Sequence, residues 1–166
     1  MFEVLVYVYE NYWRGDACPE LPLLGRKLGA IGFDEEEIQQ ALVWLDGLNA
    51  AARSTEIILP LDTPEPAATR ALVAPSTQSL RVYAVAEQDH LGAECLGFVR
   101  FLESAGVLPP PMREIVLDRA MAAPANPVSL DDLKIIVLMV YWSLGQEPDT
   151  LLLDELCDSP VGRLAH

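Results

Sequence analysis

His90 and Glu94 stand four residues apart in "EQDHLGAECLGFV", and Cys95 follows directly. On a helix the imidazole and the carboxylate would share a face, a spacing that can hold a metal ion or relay a proton. A metal centre needs further protein ligands, and none lies at a recognisable spacing. Cys18 and Cys157 are remote, no CxxC occurs, and His166 ends the sequence. The plainer reading is a helical surface pair, so neither a metal nor a cofactor is expected. A Cys–His or Ser–His nucleophile would also have to rest on His90 alone. GxSxG, the phosphate-cradling GxxxxGK[ST] and GxGxxG are all absent. Asp131 and Asp132 are adjacent, and adjacent helix residues do not face each other, so capping explains them better than paired acid–base work. No catalytic residue is assigned, and the chain is not expected to be an enzyme.

Charge narrows the partners. The 166 residues carry 25 acids against 11 bases, a net charge of −14 with the histidines neutral. No segment hides a basic block: residues 1–54 hold 9 acids and 4 bases, and residues 129–166 hold 7 and 2. A nucleic-acid binder needs a basic footprint to release phosphate counterions, so direct nucleic-acid binding is not expected. Three scattered cysteines suit reduced thiols and a cytoplasmic setting. The start, "MFEVLVYVYENYW", lacks a basic n-region and carries Glu3 and Glu10, so it is a poor signal peptide.

The stretch "VSLDDLKIIVLMVYWSLGQ" is apolar without a break from Ile135 to Trp142. A spanning helix needs roughly 20 apolar residues, so this run is too short for a membrane anchor. Ser129 with Asp132 resembles a capping box, and Gly145 and Pro148 close the far end. A helix over 129–144, apolar nearly all round, belongs at the centre of a core.

The elements that would carry these residues are mainly helical. Residues 2–13 mix strand and helix character, but Phe2, Leu5, Val6, Tyr9 and Trp13 follow helical spacing. Leu23, Leu24 and Leu28 begin a second helix that Gly32 ends. The third helix is the clearest: Asp34 as N-cap, Glu37 reaching back, and Phe33 with Ile38 as a staple. Glu35 and Glu36 occupy its first turn, where carboxylates favour the helix dipole. Ile38, Ala41, Leu42, Leu45 and Leu48 make its apolar stripe, with Trp44 beside it.

Residues 51–79 change character, with Pro60, Pro64, Pro66 and Pro75 among alanines and threonines. Helix is excluded over most of that stretch, while "EIILP" and "LRVYA" could form a short β pair. Helices resume near Ala86. Leu91, Cys95, Phe98, Val99 and Leu102 give one buried face that ends near Gly106, and "PPPM" opens the next helix, with Ile115, Val116 and Met121 inside. A short last helix is expected over about Asp149–Cys157. The predicted architecture is therefore an N-terminal three-helix unit over 1–50 and a Pro/Ala-rich linker over 51–79. A C-terminal helical bundle over 80–157 and a loose tail over 158–166 complete it.

Three helices followed by a β pair would be winged-helix-like, with the third helix placed for a DNA groove. Here that helix is "DEEEIQQALVWLDGL", with no lysine or arginine, so a protein partner is expected instead. Trp13, Glu35, Glu36, Trp44 and Tyr83 are the candidate interaction residues, because aromatics are favoured in interface hot spots and exposed first-turn acids act on what approaches the helix. Within this pattern the chain resembles the bacterial Smg family. "MFEVLVYVYENY", "GFDEEEIQQALVWLDGL", "SLRVY", "CLGFVRFLESAGVLPPPMREIVLDRAM" and "LDDLKIIVLMVYW" carry the resemblance from end to end. The linker departs most, being long and rich in Ala and Pro. The resemblance implies a bacterial, cytoplasmic protein and carries over no activity, cofactor or catalytic residue. Genes of the family often lie beside one for a DNA-processing protein, which suggests a second role as an acidic regulator of such machinery acting through a protein partner.

Overall fold

The apolar run that ends in Trp142 becomes the central helix of the molecule. The computed structural model describes residues 1–12, 19–56, 81–146 and 148, and among these it is helical with no strand. The helices are α1 (Phe2–Tyr12), α2 (Leu21–Ile31), α3 (Glu35–Glu56), α4 (Val85–Ser104), α5 (Pro110–Met121) and α6 (Leu130–Ser143). α6 packs against α1, α3, α4 and α5, and buries Leu133, Ile136, Val137, Met139 and Val140 completely. That explains why it lacks a polar face: it has neighbours on most sides. Among the described residues no helix is long and apolar enough to cross a membrane.

The helix ends follow the side-chain chemistry of the sequence. Ser129 Oγ accepts the Asp132 N–H at 3.1 Å and donates its own proton to Asp132 Oδ2 at 2.7 Å. Gly32 closes α2 at φ 109°, and its N–H reaches the Leu28 and Gly29 carbonyls. Asp34 Oδ1 accepts the Glu36 N–H at 2.9 Å, as an N-cap should. Glu37 does not complete the expected box: its Oε1 takes a hydrogen bond from the Met1 ammonium at 3.1 Å. Asp34→Ala should therefore cost about 1 kcal/mol, within about 0.5–2 kcal/mol. Its effect should add to that of Glu37→Ala, because the two carboxylates share no bond. Thermal melts of both single variants and the double variant check this.

The helical reading of the first segment holds over α1, which buries Val4, Leu5 and Val8 and leaves Phe2, Val6 and Tyr9 half-buried. Helix α3 continues to Glu56, six residues into the stretch read as linker, because "AARSTE" has no proline to stop it. Met121 is the last residue of α5, the helix that the sequence places it in. The rest of the Pro-rich stretch, both strand candidates except Glu56 and Arg81–Ala84, the helix at 149–157 and the tail at 158–166 lie outside the described residues. Arg81–Ala84 precede α4 as irregular chain.

The last correction concerns α4, whose expected buried face is present in full: Leu91, Cys95, Phe98, Val99 and Leu102. It is nevertheless broken at Gly92, which sits at φ 69° and ψ 172°. An L side chain rarely adopts that conformation, so glycine is required there. Across the break the His90 carbonyl accepts the Val128 N–H at 2.8 Å, and Cys95 Sγ donates to the Val128 carbonyl at 3.4 Å. The break thus ties the chain entering α6 into α4. One hydrophobic cluster then includes buried side chains from all of these helices, from Met1 and Leu24 to Leu45, Leu102, Val116 and Tyr141.

Candidate interaction face on α3

Helix α3 is amphipathic, and its stripe of Ile38, Ala41, Leu45 and Leu48 is buried while Leu42 is half-buried. Its other face presents Asp34, Glu35, Glu36, Gln39, Gln40, Val43 and Asp46 to solvent. Val43 is 72% exposed although apolar. It borders an open groove of about 390 Å³ lined by Met1, Gln39, Gln40, Val43, Trp44, Arg119, Ala122 and Pro124. Trp44 is the reason the groove has a firm floor. It is only 3% exposed, and its indole N–H donates to the Arg119 carbonyl at 2.9 Å. The Arg119 guanidinium returns across α3 so closely that a Cβ on Gly47 would meet Nη1 at 1.8 Å. Its Nε and Nη2 donate to Asp118 Oδ2 at 2.9 and 2.6 Å, which neutralises it.

The candidate residues therefore separate. Glu35 and Glu36 are exposed on one turn, one turn before the groove-lining Gln39 and Gln40. Trp44 is a wall residue that holds α3 to α5 and offers little surface of its own. Tyr83 is only 7% exposed and lies apart, and Trp13 is outside the described residues. Burial removes Trp44 and Tyr83 from the expected contact surface. The reason is that both rings serve as packing between helices, a role that sequence spacing does not separate from display. Val43 and the groove were missed. The available signal was an apolar residue lying off the core stripe of an amphipathic helix.

Tyr83 belongs to an ion-pair cluster where the chain enters α4. The Arg81 guanidinium makes bonds to Glu87 at 2.8 and 3.0 Å and to Glu114 at 2.9 and 3.0 Å. Arg113 donates to Glu114 at 2.8 Å and to Glu103. Glu87 also accepts the Ala84 N–H at 2.7 Å, which caps α4. The hydrogen bonds from Arg81 hold the Glu87 carboxyl below its usual range. Burial pushes the Glu114 carboxyl up, but bonds from Arg81 and Arg113 outweigh it and leave it lowered. Acids with a lowered folded-state pKa contribute stability that is complete above the unfolded value near 4.5 and is lost as pH falls. The melting temperature should therefore drop on acidification below that value, and Arg81→Met should flatten the drop. A melt series against pH measures it.

The Tyr83 ring lies 4.9 Å from the Arg81 guanidinium carbon and 5.6 Å from that of Arg100. Its hydroxyl is buried without a hydrogen-bond partner, and burial, then Glu103, raises its pKa. An unsatisfied buried hydroxyl costs about 1–3 kcal/mol. Tyr83→Phe should therefore raise the melting temperature; a lower one would show that the hydroxyl has a partner in solution.

The residues that could do chemistry are engaged otherwise. His90 Nε2 lies 3.1 Å from the Ala120 carbonyl and so ties α4 to the end of α5. Cys95 is buried, and burial, then Glu94 and Asp132, push its thiol up to about 11, which keeps it protonated. No group of three His, Cys, Asp or Glu side chains is placed to hold a metal among the described residues.

Relatives match this sequence from end to end. The family profile described as "Protein of unknown function (DUF494)" matches residues 1–166. Proteins called "Protein Smg homolog" are 57% identical in Leptothrix cholodnii, 56% in Methylibium petroleiphilum and 48% in Bordetella pertussis. Each aligns over 166 residues, covering 100% of both chains. The chain belongs to the bacterial Smg family. Smg resemblance was legible in its helices, and the full-length match extends it through the Pro-rich stretch as well. No solved structure matches.

Proposed function

We propose that this Smg-family chain is a non-catalytic interaction protein that contacts a protein partner through the exposed face of α3. The observation that carries this reading is the combination of Glu35 and Glu36, exposed on the first turn, with Val43, an exposed apolar side chain two turns on. Exposed carboxylates at a helix start bind the helix's own dipole weakly and remain available to an approaching cation. An apolar residue held out from an otherwise well-segregated helix adds the desolvation that a contact needs. The rigid Trp44–Arg119 join beneath keeps the face in one shape, so little order is lost on binding.

The net charge of −14 favours a second reading within the same class. The partner would be a component of DNA-processing machinery, and the acidic face would cover its basic DNA-binding surface. In that reading the chain itself gives no band shift with DNA at moderate salt. Affinity capture with the parent chain and with Glu35→Lys/Glu36→Lys tests the proposal. The expected result is a specific protein lost from the double variant, whose melting temperature matches the parent. Equal recovery by both would overturn it.

A further inference from the structure

The groove beside α3 has an apolar lining, and exposed carboxylates precede and follow its lining residues along that helix. Met1, Val43, Trp44, Ala122 and Pro124 supply the apolar lining. Glu35 and Glu36 lie one turn before Gln39 and Gln40, and Asp46 lies one turn after Val43; all three acids are exposed. Both cations among the lining residues are already bonded, Arg119 to Asp118 and the Met1 ammonium to Glu37. We infer that this groove seats a segment of a partner protein in which one apolar side chain is flanked on both sides by lysine or arginine. The inference rests on the interaction reading above and adds the chemistry of the partner.

Charge decides between occupants. A nucleic acid would bring phosphates against Glu35, Glu36 and Asp46. A second copy of this chain would bring another net −14 against the first. An acidic peptide would find both of the groove's own cations taken. A basic segment meets attraction at both ends, and its central side chain covers Val43. Glu36 and Asp46 are ten positions apart, about 15 Å along the helix axis at about 1.5 Å per residue. The flanking cations of the partner stand about that far apart, which an extended segment spans in about five residues.

A displayed library of random peptides selected against the full chain at near-physiological salt tests this. Enriched peptides should carry lysine or arginine on both sides of an apolar residue. Their affinity should fall about tenfold or more on Val43→Glu and on Glu36→Lys. Both positions are exposed, so the variants should melt like the parent. Glu94→Lys, the same charge change at an exposed α4 position outside the groove lining, should leave binding within about threefold, since a solvated charge off the contact is screened. Enrichment of acidic or neutral peptides, no enrichment at all, or an equal loss on Glu94→Lys would overturn the inference. So would self-association of the chain that Val43→Glu abolishes. If Glu35→Lys/Glu36→Lys loses a cellular partner that Val43→Glu retains, the interaction reading stands and the groove assignment falls. If neither variant loses it, both fall.

Discussion

Ile136→Ala is expected to lower the unfolding free energy by about 2–5 kcal/mol, the largest loss from any single truncation argued above. Ile136 is fully buried in α6, which packs against α1, α3, α4 and α5. Removing its side chain leaves a cavity that the surrounding core can close only in part. The loss should appear in the whole chain at once. Tryptophan fluorescence, which includes Trp44 on α3, and helical circular dichroism should show a single coincident transition in both parent and variant. Two separated transitions, with only one displaced by Ile136→Ala, would show that the N-terminal and C-terminal helices do not share a core.

Gly92→Ala should destabilise by about 1–3 kcal/mol, the cost of holding an L residue in a sparsely populated backbone region. Space is not the issue, because a Cβ there would meet nothing within 4 Å. Gly97 supplies the contrast. It lies in the same helix, its Cβ would also meet nothing within 4 Å, and its φ is not positive. Gly97→Ala should therefore stabilise, by about 0.4–1 kcal/mol. Opposite signs from the same substitution five residues apart would locate the break in α4. The Gly92 variant should also loosen the Val128 contacts, so amide exchange at Val128 should accelerate. Equal, small stabilisation at both positions would mean that α4 runs straight through residue 92.

What the sequence revealed, and what it concealed, follows from the range of the interactions. Caps and stripes are local: Asp34, Ser129, Gly32 and the α4 face are set by residues within a turn or two, and all were readable. Glu37 was misassigned because its partner is Met1, far away in sequence and unmarked by any spacing. Gly92 was passed over because its α4 face keeps helical spacing across the break, so the apolar pattern does not register it. The candidate surface divided for the same reason. Glu35 and Glu36 could be placed outside because they are charged and sit at a helix start. Trp44 could not be placed, since its burial depends on the Arg119 carbonyl arriving from α5. Val43 was legible in principle, as an apolar residue off the stripe, but its meaning needed the Ala122–Pro124 wall opposite. The Arg81 cluster joins chain segments more than thirty residues apart, and no motif announces it.

The same distinction between local and distant contacts bears on function. Trp44 and Tyr83 hold helices together, so substituting them would disturb folding and binding alike. Val43, Glu35 and Glu36 are exposed, so their substitution separates the two.

Photo-crosslinking from the α3 face inside the cell addresses the interaction directly. A benzoylphenylalanine in place of Gln40 lies on the groove, and one in place of Glu94 lies on α4. Illumination should join the Gln40 variant to one discrete protein whose cross-linked segment is rich in lysine or arginine, and the Glu94 variant should give no such band. The same adducts from both positions, or none from Gln40 while the chain remains folded, would contradict a protein-docking role for α3.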